Sequence, residues 1–204
     1  EIGERAIEVA LSYADSHDGT EVVVLSMGPE MAVTTLRKGL AMGADSAVHV
    51  VDEALRGADL GLTAQVLSSV LARIGFNLVI AGNLATDGTA GALPAMVAEY
   101  LELPQLTSLS SVLIEGGIVS GIRSSEAGTL ELSAELPAVI SVTEAMPEGR
   151  LPSFKGIMAA KKKPYEVLTL TDLAIAPDSD DVGRSIVTAV AERPPRGSGV
   201  KIVD

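Results

Sequence analysis

Apolar positions fall three and four apart at the start of the chain. Ala6, Ile7, Ala10, Leu11 and Ala14 line one side of an amphipathic helix, which His17-Asp18-Gly19 ends. The pattern then switches. Residues 21–25, E-V-V-V-L, read as a strand, and Ser26-Met27-Gly28-Pro29 turns the chain. Residues 31–42 form the next helix, closed by Gly43; 47–51 form a strand; 60–74 form a helix with Asp59 near its start. The short apolar run at 78–81 reads as a buried parallel strand, and a polar, glycine-rich segment separates it from a helix over 92–101. Alternating helix and strand predict an α/β fold, a parallel sheet with helices on both faces. Right-handed crossovers then bring the strand C-termini to one edge, where ligands of such sheets bind. Met27-Gly28 and the loop 82–93 can therefore face one pocket.

After Pro104 the grammar changes. Residues 110–114, 118–122, 129–132 and 138–142 read as short strands joined by turns. They predict a small antiparallel excursion whose last strand returns to the main sheet. From 144 to 163 the chain is irregular, because Pro147, Gly149, Pro152 and Gly156 rule out a long helix. Residues 168–173 read as a turn or helix start, 178–183 as an acidic loop, 186–190 as a strand and 193–197 as a linker. The expectation is one folded unit over 1–204, with an arm at 145–164 and an extended tail at 191–204. The tail reads either as a wrap around a partner subunit or as a frayed terminus.

Composition narrows the function classes. The 204 residues are 47 % hydrophobic, with two Phe, three Tyr and no Trp, which argues against base stacking on single strands. A net charge of −12 argues against a duplex-DNA binder, so no nucleic-acid partner is expected. The absence of cysteine excludes disulfides, thiol catalysis and thiolate-held metal. No apolar run approaches the roughly 20 residues of a membrane helix. A chain not embedded in a membrane and lying in the cytoplasm is expected.

The chemistry-bearing stretch is 77–96, N-L-V-I-A-G-N-L-A-T-D-G-T-A-G-A-L-P-A-M. A strand, a loop of small residues and a helix N-terminus make an anion cradle, since free N–H groups and the helix dipole both favour negative charge. It reads as a nucleotide-phosphate site or, alternatively, as an ordinary strand–helix turn with Asp87 or Thr89 as N-cap. A catalytic set is missing. His17 sits in a turn, His49 reads as a packed or surface histidine, and no metal-ligand spacing or nucleophile elbow is present. The acidic run Asp178, Asp180, Asp181 departs from a calcium loop at Val182 and Ala189. A binding or carrier role fits better than an enzyme acting alone. Phe154, Ile157 and Met158 beside Lys161, Lys162 and Lys163 read as apolar docking anchors with steering charge or, alternatively, as inward-packed side chains beside solvated lysines.

This last stretch, E-G-R-L-P-S-F-K-G-I-M-A-A-K-K-K over 148–163, closely resembles the "E-P-R…P-x-I-M-x-A-K-K-K" segment of electron transfer flavoprotein β subunits, in an actinobacterial-like form. L-R-K-G-L-A-M-G-A-D at 36–45 is similar to the family's "R-x-A-L-A-M-G-A-D". Residues 78–100 resemble its nucleotide loop and helix, Leu103-Pro104-Gln105 its "x-P-Q", 123–140 its signature region, and 194–201 its tail.

The resemblance implies a three-layer, Rossmann-type nucleotide-binding domain related to adenine nucleotide hydrolases, whose first strand would precede Glu1. It also implies a heterodimer with the electron transfer flavoprotein α subunit. The α subunit would hold most of the FAD, and the β subunit would shield it and bind a structural AMP. The implied AMP contacts are Ile2 and Gly3, Met27, and Gly82, Asn83, Leu84, Ala85, Thr86, Asp87, Gly88, Thr89, Ala90, Gly91, Ala92 and Leu93. Phe154 matches the apolar anchor that docks acyl-CoA and related dehydrogenases, flanked by Lys161, Lys162 and Lys163. Electrons would leave to an electron transfer flavoprotein–quinone oxidoreductase and the respiratory chain. A second FAD in place of AMP, as in bifurcating members, is the variant within the family. A stand-alone ATP- or AMP-binding regulator of the universal-stress type is the competing class.

Overall fold

The structure, a computed structural model, describes residues 2–85 and 88–176, with residues 185, 188, 189, 191 and 192 beyond them. The elements run α1 (Ile2–Ala14), β1 (Val23–Met27), α2 (Val33–Met42), β2 (Ser46–Val50), α3 (Leu60–Ile74), β3 (Leu78–Gly82) and α4 (Leu93–Tyr100). There follow β4 (Gln105–Glu115), β5 (Ile118–Ser125), β6 (Gly128–Glu135), β7 (Ala138–Val142), α5 (Phe154–Ala160) and β8 (Tyr165–Leu168). Helix α3 has the bounds its residues predict: Asp59 Oδ1 accepts from the Leu62 nitrogen at 2.8 Å, and Gly75, at φ 72°, ends it.

The fold is α/β with mostly parallel pairing, as expected. Among the described residues the strands form two hydrogen-bonded sheets, ordered β1-β2-β8 and β3-β7-β4-β5-β6. The first is parallel throughout; in the second, β3 and β4 run parallel to β7 while β4, β5 and β6 are antiparallel. The two sheets share a core under α3 and α4, where Leu25 of β1 and Val79 of β3 pack with Ala64, Leu71 and Val97. Helix α1 covers the second sheet through Ala6, which packs with Val142 and Ile80. Strand β7, A-V-I-S-V, is buried along its whole length between β3 and β4. Strand β6 pairs only with β5 and forms the edge of its sheet among the described residues.

Several boundaries differ from expectation. Strand β1 starts at Val23 rather than at 21, because the Val22 nitrogen donates to the Asp45 carboxylate before the ladder begins. Helix α2 is preceded by a 3-10 turn, Glu30–Ala32. Strand β4 begins at Gln105, well before 110: its first half pairs with β7 and its second with β5, across irregularities at 106–111. Two elements were not expected. Helix α5 forms inside the irregular stretch, capped by Ser153 Oγ, which accepts from the Gly156 nitrogen at 3.0 Å. Strand β8 forms at Tyr165–Leu168, where only a turn from 168 was expected, and pairs with β2. The acidic loop 178–183, the linker 193–197, most of the expected strand 186–190 and nearly all of the tail 191–204 lie outside the described residues. No helix among the described residues is long and apolar enough to cross a membrane.

Candidate functional site

Strands β1 and β3 end at Met27 and Gly82, on the same side of the shared core. A Cβ on Gly82 would lie 2.9 Å from both Ile2 Cγ1 and Ile2 Cγ2, so the first turn of α1 sits directly on the end of β3. Gly3 beside it has open space at its missing side chain. The Asn83 nitrogen donates to the Val142 carbonyl at 2.9 Å and prolongs the β3–β7 ladder by one residue. Its side-chain Oδ1 is buried and accepts no hydrogen bond. A buried acceptor without a donor costs about 1–3 kcal/mol, so Asn83 stands out among the residues at the end of β3.

The loop beyond is open. Leu84, Ala85, Gly88, Thr89, Ala90 and Gly91 are exposed, and Thr86 and Asp87 lie outside the described residues. The Thr89 nitrogen donates to the Ala85 carbonyl at 3.0 Å. Thr89 itself has φ 49°, a left-handed conformation that is strained for a β-branched residue; Gly91, at φ 67°, adopts the same region freely. Leu84 Cδ2 lies 3.1 Å from where a Gly91 Cβ would be, so that glycine lets the loop fold closely on itself. The N-cap of α4 is Ala92, with no side-chain cap, ahead of Leu93 and Pro94. The alternative of Asp87 or Thr89 as N-cap is therefore overturned for this helix: the cap position falls on a residue that cannot cap. Uncapped first-turn amides and a closely approachable glycine suit an anion, and the buried Asn83 oxygen suits an N–H or O–H donor.

Across the strand ends, the Gly28 nitrogen donates to the Val50 carbonyl at 3.1 Å, and the Gly28 carbonyl accepts from His49 Nε2, also at 3.1 Å. His49 is 1 % exposed, a packed histidine as expected, but with both ring nitrogens engaged: Nδ1 lies 2.7 Å from the Tyr165 hydroxyl. His17 is a surface residue stacked on Tyr13. Among the described residues no cluster of His, Asp and Glu could hold a metal ion.

The arm at 145–164, expected from sequence to dock a partner, carries exposed apolar side chains. Phe154 is 81 % and Leu151 90 % exposed; Ile157 and Met158 are about half exposed. Leu151 was not singled out from sequence, although a lone leucine before Pro152, in a stretch without apolar periodicity, was a usable signal. The backbone beneath is held at many points. The Arg150 guanidinium binds the Glu8 carboxylate through Nε at 2.9 Å and Nη2 at 2.8 Å, the Arg150 nitrogen donates to the same carboxylate, and Asp15 takes a further bond at 2.9 Å. Arg5 donates to the Met146 carbonyl. A Cβ on Gly149 would lie 2.9 Å from Glu4 Cβ, and one on Gly156 would overlap the Ala41 carbonyl oxygen, so both glycines let the segment lie flat on α1 and α2. Arg37 Nη1 donates to the Ala160 carbonyl at 2.7 Å. Lys163 Nζ donates to the carbonyls of Leu40, Gly43 and Ala44 at 3.1, 3.0 and 2.6 Å, closing the end of α2. Lys161 and Lys162 are exposed.

These contacts set the local ionisation. The Arg150 hydrogen bonds, opposed by desolvation, hold the Glu8 carboxyl below its ordinary value, and Lys38 does the same for Glu4. Arg150 is pushed up by Glu8 and Asp15. Burial raises the Tyr165 phenol against the opposing charge of Arg37.

A family profile described as the electron transfer flavoprotein domain matches residues 1–173. Among curated proteins, the electron transfer flavoprotein subunit beta of Mycobacterium tuberculosis is 50 % identical over all of this chain and 79 % of its own length. The subunit of the same name from Bacillus subtilis is 33 % identical over 98 % of this chain and 77 % of its own length. The caffeyl-CoA reductase-Etf complex subunit CarD of Acetobacterium woodii is 32 % identical over 86 % of this chain and 67 % of its own length.

Proposed function

The chain belongs to the electron transfer flavoprotein family as a β-type subunit, and from that premise we propose that it binds AMP at loop 82–93, shields an FAD held mainly by an α subunit, and docks acyl-CoA-type dehydrogenases through α5. Family membership carries flavin-linked electron transfer and an α partner.

The flavin, when bound in the heterodimer, supplies the electron-accepting and electron-releasing chemistry. This chain's own residues bind, cover and present. Amides at the start of α4 and at Gly91 would take the phosphate of AMP, and Asn83 Oδ1 would accept from the nucleoside. Ile2, Gly3 and Met27 would wall the pocket.

One observation carries the docking reading: Phe154 and Leu151 stand out into solvent from a segment whose backbone is fixed to α1 and α2. Large apolar side chains exposed on a fixed backbone suit recognition with little ordering cost on binding. Exposed Lys155, Lys161 and Lys162 on a chain of net charge −12 add local attraction for acidic partners. A carrier that serves several dehydrogenases needs such a small, quickly released surface. The relative named for a caffeyl-CoA reductase complex is consistent with partners that act on CoA esters. Onward transfer would run to a quinone oxidoreductase and the respiratory chain.

The test uses the heterodimer co-purified with its α chain. Phe154→Ala and Leu151→Ala are expected to slow reduction by a medium-chain acyl-CoA dehydrogenase at least tenfold, with FAD content unchanged. Unaltered kinetics in both variants would sink the docking assignment. No heterodimer and no flavin would favour a lone nucleotide-binding regulator instead.

A further inference from the structure

The buried imidazole of His49 has no part in the function proposed above, yet it links two regions that do. A carbonyl only accepts, so His49 Nε2 carries a hydrogen and donates it to the Gly28 oxygen. In the neutral ring Nδ1 is then an acceptor, and the Tyr165 hydroxyl fills it at 2.7 Å. Tyr165 keeps that proton, because burial raises its phenol above the ordinary value. The Tyr165 ring in turn lies under Arg37, whose Cζ is 4.8 Å from the ring centroid and whose Nη1 holds the Ala160 carbonyl at the end of α5.

Gly28 is the first residue beyond β1, and β2 takes both of its peptide groups: Val50 the N–H, His49 the C=O. The Val50 bond continues the β1–β2 ladder. The His49 bond does not; it is a side-chain contact that sets where the Gly28–Pro29 peptide, the second beyond Met27, points. A backbone turn at a strand end would otherwise be free to rotate its carbonyl toward solvent, and toward a ligand lying there.

We infer that His49, oriented by Tyr165, is a positioning residue for the nucleotide pocket: it turns the Gly28 carbonyl inward and so keeps an acceptor oxygen away from the phosphate side of the Met27 wall. This rests on the reading that AMP lies between Met27 and loop 82–93. Positioning by His49 is separable from mere packing, because glutamine and asparagine mimic different halves of the ring. A glutamine amide reaches the place of Nε2 and can donate to Gly28. An asparagine amide reaches only the place of Nδ1 and can pair only with Tyr165.

The experiment measures AMP binding by calorimetry to the nucleotide-stripped αβ complex of wild type, His49→Gln, His49→Asn and Tyr165→Phe, with melting temperature and FAD content followed in parallel. Both His49 variants are expected to lose similar thermal stability. AMP affinity is expected to stay within about threefold in His49→Gln and to fall about tenfold in His49→Asn, the size of one neutral hydrogen bond. Tyr165→Phe keeps the ring under Arg37 and is expected to weaken AMP about threefold by releasing the imidazole. Equal AMP losses in His49→Gln and His49→Asn, or unchanged affinity in His49→Asn, overturn the inference while leaving the AMP site standing. A wild-type complex that takes up no AMP overturns the nucleotide reading and this inference with it. Should neither His49 variant assemble, Tyr165→Phe decides: unchanged AMP affinity overturns the inference.

Discussion

The Glu8 carboxylate grips Arg150 twice over, accepting from the guanidinium Nη2 at 2.8 Å and from the Arg150 backbone nitrogen at 2.8 Å. One side chain of α1 thereby fixes both the direction and the height of the segment that leads into α5. Glu8→Gln keeps the shape and removes the charge. It should cost about 1–3 kcal/mol in urea unfolding, the scale of hydrogen bonds to a charged group. On the proposed docking role it should also slow association with an acyl-CoA dehydrogenase, because Leu151 and Phe154 lose their fixed support. Stopped-flow association rates check the second part.

The same pair gives a pH dependence. The Glu8 carboxyl is held below its ordinary value of 4.5, mainly by the Arg150 hydrogen bonds. A depressed carboxylate contributes stability that is present above the unfolded value and is lost as pH falls through the folded value. The difference in melting temperature between wild type and Glu8→Gln should be steady from about pH 7 to about pH 5 and should close below about pH 4.5. A gap that stays constant to about pH 3 would mean that the ion pair does not stabilise the fold.

Gly156 is where α5 meets α2. A methyl group there would overlap the Ala41 carbonyl oxygen, a backbone atom that cannot move aside alone. Gly156→Ala should destabilise by about 2–3 kcal/mol and lift the helix from its seat. Limited proteolysis should then cut within residues 150–163 of the variant and spare the wild type.

The three consecutive lysines should behave differently. Lys163 closes the C-terminal end of α2 through three carbonyls, so Lys163→Met should lower stability by about 1–2 kcal/mol and leave the salt dependence of docking unchanged. Lys161 and Lys162 are exposed, so their replacement by Met should leave stability nearly unchanged and flatten the fall of association rate with ionic strength.

Legibility from sequence followed the strength of local signals. Helix α3 was readable to the residue because Asp59 caps it, Gly75 ends it and its apolar positions recur over fifteen residues. Strand β7 was readable because A-V-I-S-V is buried on both faces. Helix α5 was obscured: seven residues between prolines and glycines carry little periodicity, and Ser153 as a cap was the one available sign. Strand β8 is only Tyr165–Leu168, and half of it faces solvent, so its pairing with β2 outweighs a weak local preference. The start of β4 was hidden in T-S-L-S-S, where polar side chains meet backbone groups across the bulge: Ser141 Oγ accepts from the Ser108 nitrogen at 2.8 Å. In the candidate site, the glycine and small-residue loop was visible as a cradle. The unmet acceptor of Asn83 and the fastening of Arg150 to Glu8 depend on residues 59 and 142 positions apart, and no local pattern reports such pairs.

Strand β6 closes its sheet with one row of backbone groups unpaired among the described residues. Glu131 and Glu135 recur on that strand, with Ser133 between them, and all three are exposed. Two copies meeting along this edge would bring carboxylates against carboxylates, an electrostatic veto on adding strand to strand. Among the described residues this edge therefore carries its own guard against strand addition by a second copy of the chain.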